Sequence, residues 1–493
     1  MIDFMFIPIA VVYLSVVLLL LVYGINLIYL TSISLRRKTP LIPPPEPDSW
    51  PLVTVQLPIY NEIYVAERLI RAAAGIDYPP HLLEIQVLDD STDETTSMVE
   101  EVVARLRAEN RMITCLHRTN RVGFKSGALA EGMGHARGEF IAIFDADFIP
   151  PRDFLKRTLP YFRDPRLGYI QTRWGYTNRN YSYLTYLQAL AIDAHFMIEQ
   201  HARSRAGYFF NFNGSAGIWR KSTIIDAGGW KSDTLTEDLD LSYRAILKGW
   251  QGLYLRDLVS PAELPVSITA FRRQQYRWAR GSLECAGKYL PVIWDLSIPL
   301  SKKIEASLHL LGYGVHLLLC LLVLLHPLIL ALSLRYAGLV SLFGIAVVFN
   351  LATFAQAFFL LAAQKQVGKQ WWKSVPMVML MTAAGTGMMV NTARAAIDII
   401  RGKVVGFERT PKYGIIQKEQ AWVNQRYQVA EDSIIFFELA FALLNAGTAI
   451  AAAIHQNWII AIYACFFCAG LLIIAGLSIR QAYEISHPSV SDG

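Results

Sequence analysis

Charge is scarce in this 493-residue sequence: Asp, Glu, Lys and Arg together make up 17%, against 53% hydrophobic residues. That is too apolar for a purely soluble enzyme and too charged for a bare bundle of membrane helices. No long Lys/Arg block with interleaved aromatics accompanies the net charge of +6, which argues against nucleic acid as a partner. The basic residues gather instead where hydrophobic runs end, as at cytoplasmic flanks of membrane helices. Cysteine is equally sparse, and Cys115, Cys285, Cys320, Cys465 and Cys468 give no disulfide framework. Cys465 and Cys468 have CxxC spacing but sit inside an apolar run, where helix packing is their reading and nothing activates a thiolate. Also missing is any Ser/His/Asp or Cys/His pairing that would imply a covalent intermediate. His195 and His201, on a helical stretch, read as packing or polar surface.

What is present is segregated along the chain. Residues from about 45 to 303 carry globular patterning, whereas both ends hold long apolar runs. Phe4 to Ile33 exceeds the ~20 residues needed to span a bilayer. Only Asp3 precedes that run as a charge and Arg36-Arg37-Lys38 follows it, so it reads as an anchor rather than a cleaved signal. The positive-inside rule then puts the N-terminus outside and residue 38 onward in the cytosol. Further spans are expected at 307–333, 338–363, 434–454 and 457–479. Segment 374–397 carries Gly385, Thr386, Gly387, Asn391 and Arg394, and residues 393–430 hold seven Lys/Arg. It is therefore expected to be interfacial or re-entrant, giving five spans and a cytosolic C-terminus. The expected divisions are 1–44 (helix and flank), 45–262 (cytosolic domain), 263–303 (interfacial helices) and 304–493 (membrane helices, with an interfacial segment 374–401 and a loop 403–415).

In the cytosolic part, strand-like stretches at Leu52–Leu57, Glu84–Leu88, Met112–Leu116, Phe140–Phe144 and Leu167–Gln171 alternate with helical patterns, the first from about Glu62. That alternation predicts an α/β domain with a mostly parallel sheet. Ligands of such sheets bind beyond the carboxyl ends of the strands, and acidic groups fall there. Asp89-Asp90 follows Ile85-Gln86-Val87-Leu88, and Asp145-Ala146-Asp147 follows Phe140-Ile141-Ala142-Ile143-Phe144. Carboxylates at the end of a buried strand need compensation, and a divalent cation bridging phosphates supplies it through oxygen ligands. Asp89-Asp90 alone reads equally as turn or cap residues. Thr236-Glu237-Asp238 opens a helix to about Lys248, with Thr236 as N-cap and the acids favoured by the dipole; alternatively Asp238 deprotonates an acceptor hydroxyl. Gln274-Gln275-Tyr276-Arg277-Trp278 offers an Arg for phosphate and a Trp to stack on a sugar.

Together and in this order, Asp-Asp, DxD, TED and QxxRW resemble the processive family 2 glycosyltransferases of the cellulose synthase superfamily. The likeness is nearest to the plant cellulose synthase-like A and C proteins, which make mannan or glucan backbones. It extends through Gln56-Leu57-Pro58-Ile59-Tyr60-Asn61-Glu62, Gly127-Ala128-Leu129, Phe212-Asn213-Gly214-Ser215-Ala216-Gly217 and Ala227-Gly228-Gly229-Trp230, covering about residues 52–290. The resemblance implies a GT-A-type nucleotide-sugar-binding α/β domain inserted in an α-helical transmembrane domain. It implies that Asp89, Asp90, Lys125, Asp145 and Arg277 bind the donor, and that Asp145 and Asp147 hold Mg²⁺ or Mn²⁺. Asp238 is then the general base, and Asn213, Gly214, Ser215, Glu237, Gln274 and Trp278 lie on the acceptor side. Cellulose synthases proper have Cys where Asn213 stands, which favours the mannan and glucan-like subgroup. Phe407-Glu408-Arg409-Thr410-Pro411-Lys412 resembles their gating loop of pattern FxVTxK, keeping Phe407, Thr410 and Lys412 but placing Arg409 at the Val.

The expected function is inverting transfer of a hexose from UDP-glucose or GDP-mannose to a growing β-glycan, processive and coupled to export, in contact with membrane lipids. A non-processive transfer to a glycolipid acceptor is the alternative. An inactive transferase serving as transporter or scaffold is a third reading, for which a missing acid or broken QxxRW would speak, and neither is seen.

Overall fold

The computed structural model describes residues 2–37, 41–335, 351–368, 370–423, 425–429 and 432–487. Among the described residues, seven strands, β1 (Val53–Ile59), β2 (Leu83–Asp89), β3 (Ile113–His117), β4 (Phe140–Ile143), β5 (Leu167–Tyr176), β6 (Gly217–Arg220) and β7 (Gln251–Ala262), build the α/β part of the chain. They form one sheet in the order β3-β2-β1-β4-β6-β5-β7. β1 is parallel to β2 and β4, β2 to β3, and β5 to β7. Helices cover both faces, which is why these strands read as apolar runs rather than alternating ones. The two-residue period is visible in β4: Phe140 and Ala142 join one core with Leu69, Ile70, Val99 and Val103, while Ile141 and Ile143 join the opposite one with Ala128, Leu129 and Trp219.

Two strands depart from the expected set. β6 runs antiparallel to both neighbours and is only four residues long, below the length at which a pattern declares itself. β7 is longer but carries Arg256-Asp257 and Pro261, which break its apolar alternation. The helix expected from Glu62 begins at Ala66, because Asn61 adopts a positive φ of 52° and the Glu62 carbonyl accepts from the Val65 and Ala66 amides. Thr236 does flank the helix Glu237–Leu247, but its side chain makes no capping bond.

Four helices among the described residues are long and apolar enough to cross a membrane: Ile7–Arg36, Gly314–Arg335, Ile434–Ile454 and Trp458–Ser486. The expected span 307–333 starts late, because Leu300–Leu310 is a separate helix ahead of Gly314–Arg335. The expected span 338–363 begins outside the described residues; its end lies within the helix Leu351–Val367. Segment 374–397 forms two helices, Val375–Gly387 and Met389–Ile400, interrupted at Met388, and each alone is shorter than a bilayer requires. The first packs closely on Trp458–Ser486: a Cβ on Gly387 would lie 2.2 Å from the Gly470 carbonyl oxygen, and one on Gly470 2.2 Å from that of Ala383. Such approach is what small residues permit between membrane helices.

The helix Ile268–Asp295 joins the two parts. Ser267 caps it by accepting from the Ala270 amide at 3.1 Å. Arg272 on this helix pairs at 2.5 Å with Glu438 of Ile434–Ile454, both buried, and the Arg272 carbonyl accepts from Asn391 Nδ2 at 2.9 Å. A buried pair adds little net stability, yet removing one partner strands a charge at a cost of about 3–5 kcal/mol. Glu438→Ala should therefore lower the thermal unfolding midpoint of the detergent-solubilised protein sharply. The double variant Arg272→Met with Glu438→Leu should recover most of the loss.

Candidate active site

Strand ends, three loops and the helix Ile268–Asp295 converge on one cavity at the carboxyl edge of β1, β2 and β4. Asp90, Lys125, Asp145, Asp147, Asn213, Gly214, Glu237, Asp238, Gln274, Arg277, Trp278, Phe407, Thr410 and Lys412 all line it. Asp89 and Ser215 do not. Asp89 is fully buried and its oxygens are used by the Ser91 amide (3.0 Å), Thr96 Oγ1 (2.9 Å) and His117 Nδ1 (2.8 Å). Its neighbour Asp90 takes a two-pronged bond from Arg118, at 2.7 and 2.5 Å. Ser215 Oγ accepts from the Asp145 amide at 2.9 Å, so it ties the Asn213-Gly214-Ser215 loop to the DxD strand end.

Lys125 is the centre of the site. Its Nζ lies 2.6 Å from Asp145 Oδ1 and 3.6 Å from Glu237 Oε1, and donates to the Gly214 carbonyl at 2.9 Å. One ammonium thus links the DxD, the TED and the Asn213–Ser215 loop. Burial raises the Asp145 carboxyl above its usual range while Lys125 opposes the rise. Asp238 is pushed up to about 7, first by burial and then by repulsion from Glu237, against the pull of Lys125. Gly214 has φ 79°, and a Cβ there would stand 3.0 Å from Asp238 Oδ2 and 3.4 Å from Lys125 Nζ. The position demands glycine on both counts. Asn61, Phe124 and Ala216 also hold positive φ, at 52°, 51° and 57°, in the three loops around the cavity, where strained backbone commonly collects.

The loop 403–415 closes over the cavity. Lys412 Nζ lies 2.8 Å from Asp147 Oδ2 and donates to the Glu263 carbonyl. The Glu263 carboxylate accepts from the Tyr413 and Gly414 amides at 2.9 and 2.8 Å. Arg409 reaches Glu62 at 3.2 Å. Phe407 stacks on Phe124 at 6.0 Å, with the Arg277 guanidinium 4.4 Å from the Phe407 ring centre. Glu62, Glu263 and Arg409 received no role from the sequence. Glu62 carried a signal, the Pro58-Ile59-Tyr60-Asn61-Glu62 stretch at the end of β1; Glu263, just past β7, carried none.

Seven acidic and five basic side chains line this cavity. Glu62 shows the resulting strain: burial, opposed by Arg409 and reinforced by Asp147 and Asp145, raises it to about 7. An anionic diphosphate enters such a basin only with added positive charge, and Asp145 with Asp147 present the carboxylate oxygens that a hard divalent cation takes. Among the described residues no three His, Cys, Asp or Glu side chains converge as a complete metal site.

Comparison with known proteins agrees with this geometry. A family model described as glycosyltransferase like family 2 matches residues 51–281. A probable glucomannan 4-beta-mannosyltransferase 2 of Oryza sativa subsp. japonica is 40% identical over 287 residues, covering 56% of this chain and 49% of the relative. Glucomannan 4-beta-mannosyltransferase 7 of Arabidopsis thaliana is 46% identical over 238 residues, covering 47% of this chain and 43% of the relative. The chain thus spans about half the length of the curated relatives it matches. Among solved structures, the mannosyltransferase PcManGT from Pyrobaculum calidifontis, in complex with GDP-Man and Mn²⁺, superposes with a TM-score of 0.54 at 22% identity, over 80% of this chain and 100% of that one. This likeness shows the fold, a GT-A-like sheet with its attached helices. Residues 51–281 of this chain are thus similar to glycosyltransferase family 2.

Proposed function

We propose that this protein is a membrane-embedded inverting hexosyltransferase that extends a β-glycan from a nucleotide sugar, with GDP-mannose ahead of UDP-glucose as donor, a reading supported by relatives named as mannosyltransferases and by PcManGT, which is in complex with GDP-Man. The observation that carries the reading is the placement of Asp238, raised to about 7, in the same cavity as Asp145 and Asp147, with Lys125 bridging the two sides.

In this reading Asp145 and Asp147 hold Mg²⁺ or Mn²⁺, which when bound neutralises the diphosphate and its leaving charge. Lys125 and Arg277 add fixed positive charge beside the departing diphosphate, as preorganised electrostatic stabilisation. Asp90 lines the donor side, and Asp89 supports it from behind. Gln274, Trp278 and Glu237 hold the acceptor with Asn213 and Gly214. Asp238 takes the proton of the acceptor hydroxyl as it attacks the anomeric carbon from the face opposite the nucleotide, converting an α-linked donor into a β-glycoside. Phe407, Thr410 and Lys412 act as a gate: Lys412 occupies Asp147 in the closed loop and must leave for a cation to be held there. The reading is processive, with export coupled to synthesis, because the helix bearing Gln274, Arg277 and Trp278 is clamped directly to a membrane helix through Arg272 and Glu438.

Donor turnover in membrane vesicles tests this. GDP release and long, mannanase-sensitive product should require GDP-mannose and Mn²⁺ or Mg²⁺, and disappear with EDTA. Single-sugar lipid product would overturn processivity, and turnover of UDP-glucose alone would overturn the donor. Asp238→Asn should reduce kcat by at least about 10²-fold with little change in donor KM. A carboxylate accepts a proton only when ionised, so wild-type kcat should climb as pH rises through about 7. The residual rate of Asp238→Asn should lack that limb. Gly214→Ala should cost activity on a similar scale, because the methyl displaces Asp238 or Lys125, and the positive φ should lower the unfolding midpoint as well.

A further inference from the structure

The helix that starts at Tyr183 changes its winding before it ends. Tyr183–Ala194 is α-helical, His195–Gln200 is π-helical, and His201–Ala206 is α-helical again. A π turn bonds i to i+5, so His195 and Gln200 come to share a face, an arrangement frequent at functional sites. Both meet Asn213, which lines the cavity.

The hydrogen bonds there run in one direction. The Asn211 carbonyl can only accept, so the amide it meets at 2.9 Å is the NH₂ of Gln200. That NH₂ also donates to Asn213 Oδ1. Asn213 must therefore turn its own NH₂ to His195 Nε2, 3.1 Å away, which accepts. The imidazole proton is then on Nδ1, facing Glu199 Oε2 at 2.8 Å. Glu199 is the matching acceptor: although burial opposes its charge, Arg203 and His195 hold it down at about 2. Arg203 is anchored in turn by Glu305 at 2.9 Å. Gln171 Oε1 fixes the backbone by accepting from the Asn213 amide at 2.7 Å. The second N–H of the Asn213 side chain has no protein partner among the described residues.

We propose that His195 is a positioning residue for the acceptor. With Gln200 and Glu199 it locks the Asn213 amide in one orientation, so that the free N–H is offered to a hydroxyl or ring oxygen of the terminal acceptor sugar. It gives His195 a role that the reading as packing or polar surface did not, and it rests on the transferase function proposed above. His195 does not touch the reacting atoms. Its loss leaves Asn213 free to rotate and to present its carbonyl oxygen instead, which a sugar oxygen other than a hydroxyl donor cannot use.

The test uses the full-length protein in lipid nanodiscs, with manno-oligosaccharides as acceptors and nucleotide release as readout. His195→Phe keeps a ring but removes both nitrogens. It should raise acceptor KM roughly tenfold and leave donor KM within about twofold. His195→Gln, whose amide can accept from Asn213 and donate to Glu199, should restore most of the difference. Wild-type acceptor KM in His195→Phe, or a shift in donor KM alone, overturns the assignment, as does failure of His195→Gln to improve on Phe while both fold with wild-type unfolding midpoints. Wild-type turnover that is indifferent to acceptor instead overturns the transferase reading, and this proposal with it.

Discussion

Crowding of like charge governs this site. The strand ends deliver Asp90, Asp145 and Asp147, and the neighbouring loops add Glu62, Glu237, Asp238 and Glu263, in a cavity partly shielded from water. Carboxylates so placed repel one another and lose hydration, which is why Glu62 and Asp238 titrate near neutrality. Folding therefore depends on cations brought from far along the chain. Lys125 comes from the first turn of the helix Phe124–His135 that follows β3, Arg277 from the helix Ile268–Asp295, and Arg409 with Lys412 from beyond the break at Met388. The sheet, the helix Ile268–Asp295 and the loop 403–415 are thereby parts of one electrostatic unit.

The elements legible in the sequence were those whose signal is local. Five strands and the membrane-length helices announce themselves through apolar runs, and the acids at the ends of β2 and β4 through their place after such runs. β6 and β7 were hidden for opposite reasons, one too short for any period and the other interrupted by Arg256-Asp257 and Pro261. The motif order carried most of the site, since all the expected residues except Asp89 and Ser215 reach the cavity. Those two do not line it, because a motif names residue types and not the direction each side chain takes. Asp89 ends β2 with its oxygens consumed by Ser91, Thr96 and His117, while the next residue turns outward.

Partnerships between distant residues were beyond sequence reasoning. Nothing in the run around Glu263 forecasts that it would hold a loop 150 residues away, and nothing in the histidine at 195 shows a change of helical winding. Such features arise from the sum of many packing contacts. The buried ion pair of Arg272 and Glu438 belongs to the same group: an arginine near the start of one helix and a glutamate just past the first turn of another have separate, ordinary explanations until the two helices are seen to cross.

The tether at Glu263 has an evolutionary consequence. Its carboxylate grips the loop by the main-chain amides of Tyr413 and Gly414, groups that every residue except proline possesses. Substitutions along the loop can therefore accumulate without releasing it, provided position 414 tolerates its φ of 70° and the acid at 263 persists. Descendants of this chain can change what the loop presents to the cavity, as Arg409 does toward Glu62, while inheriting its point of attachment unchanged. The loop is free to diverge because its anchor is written in another part of the chain.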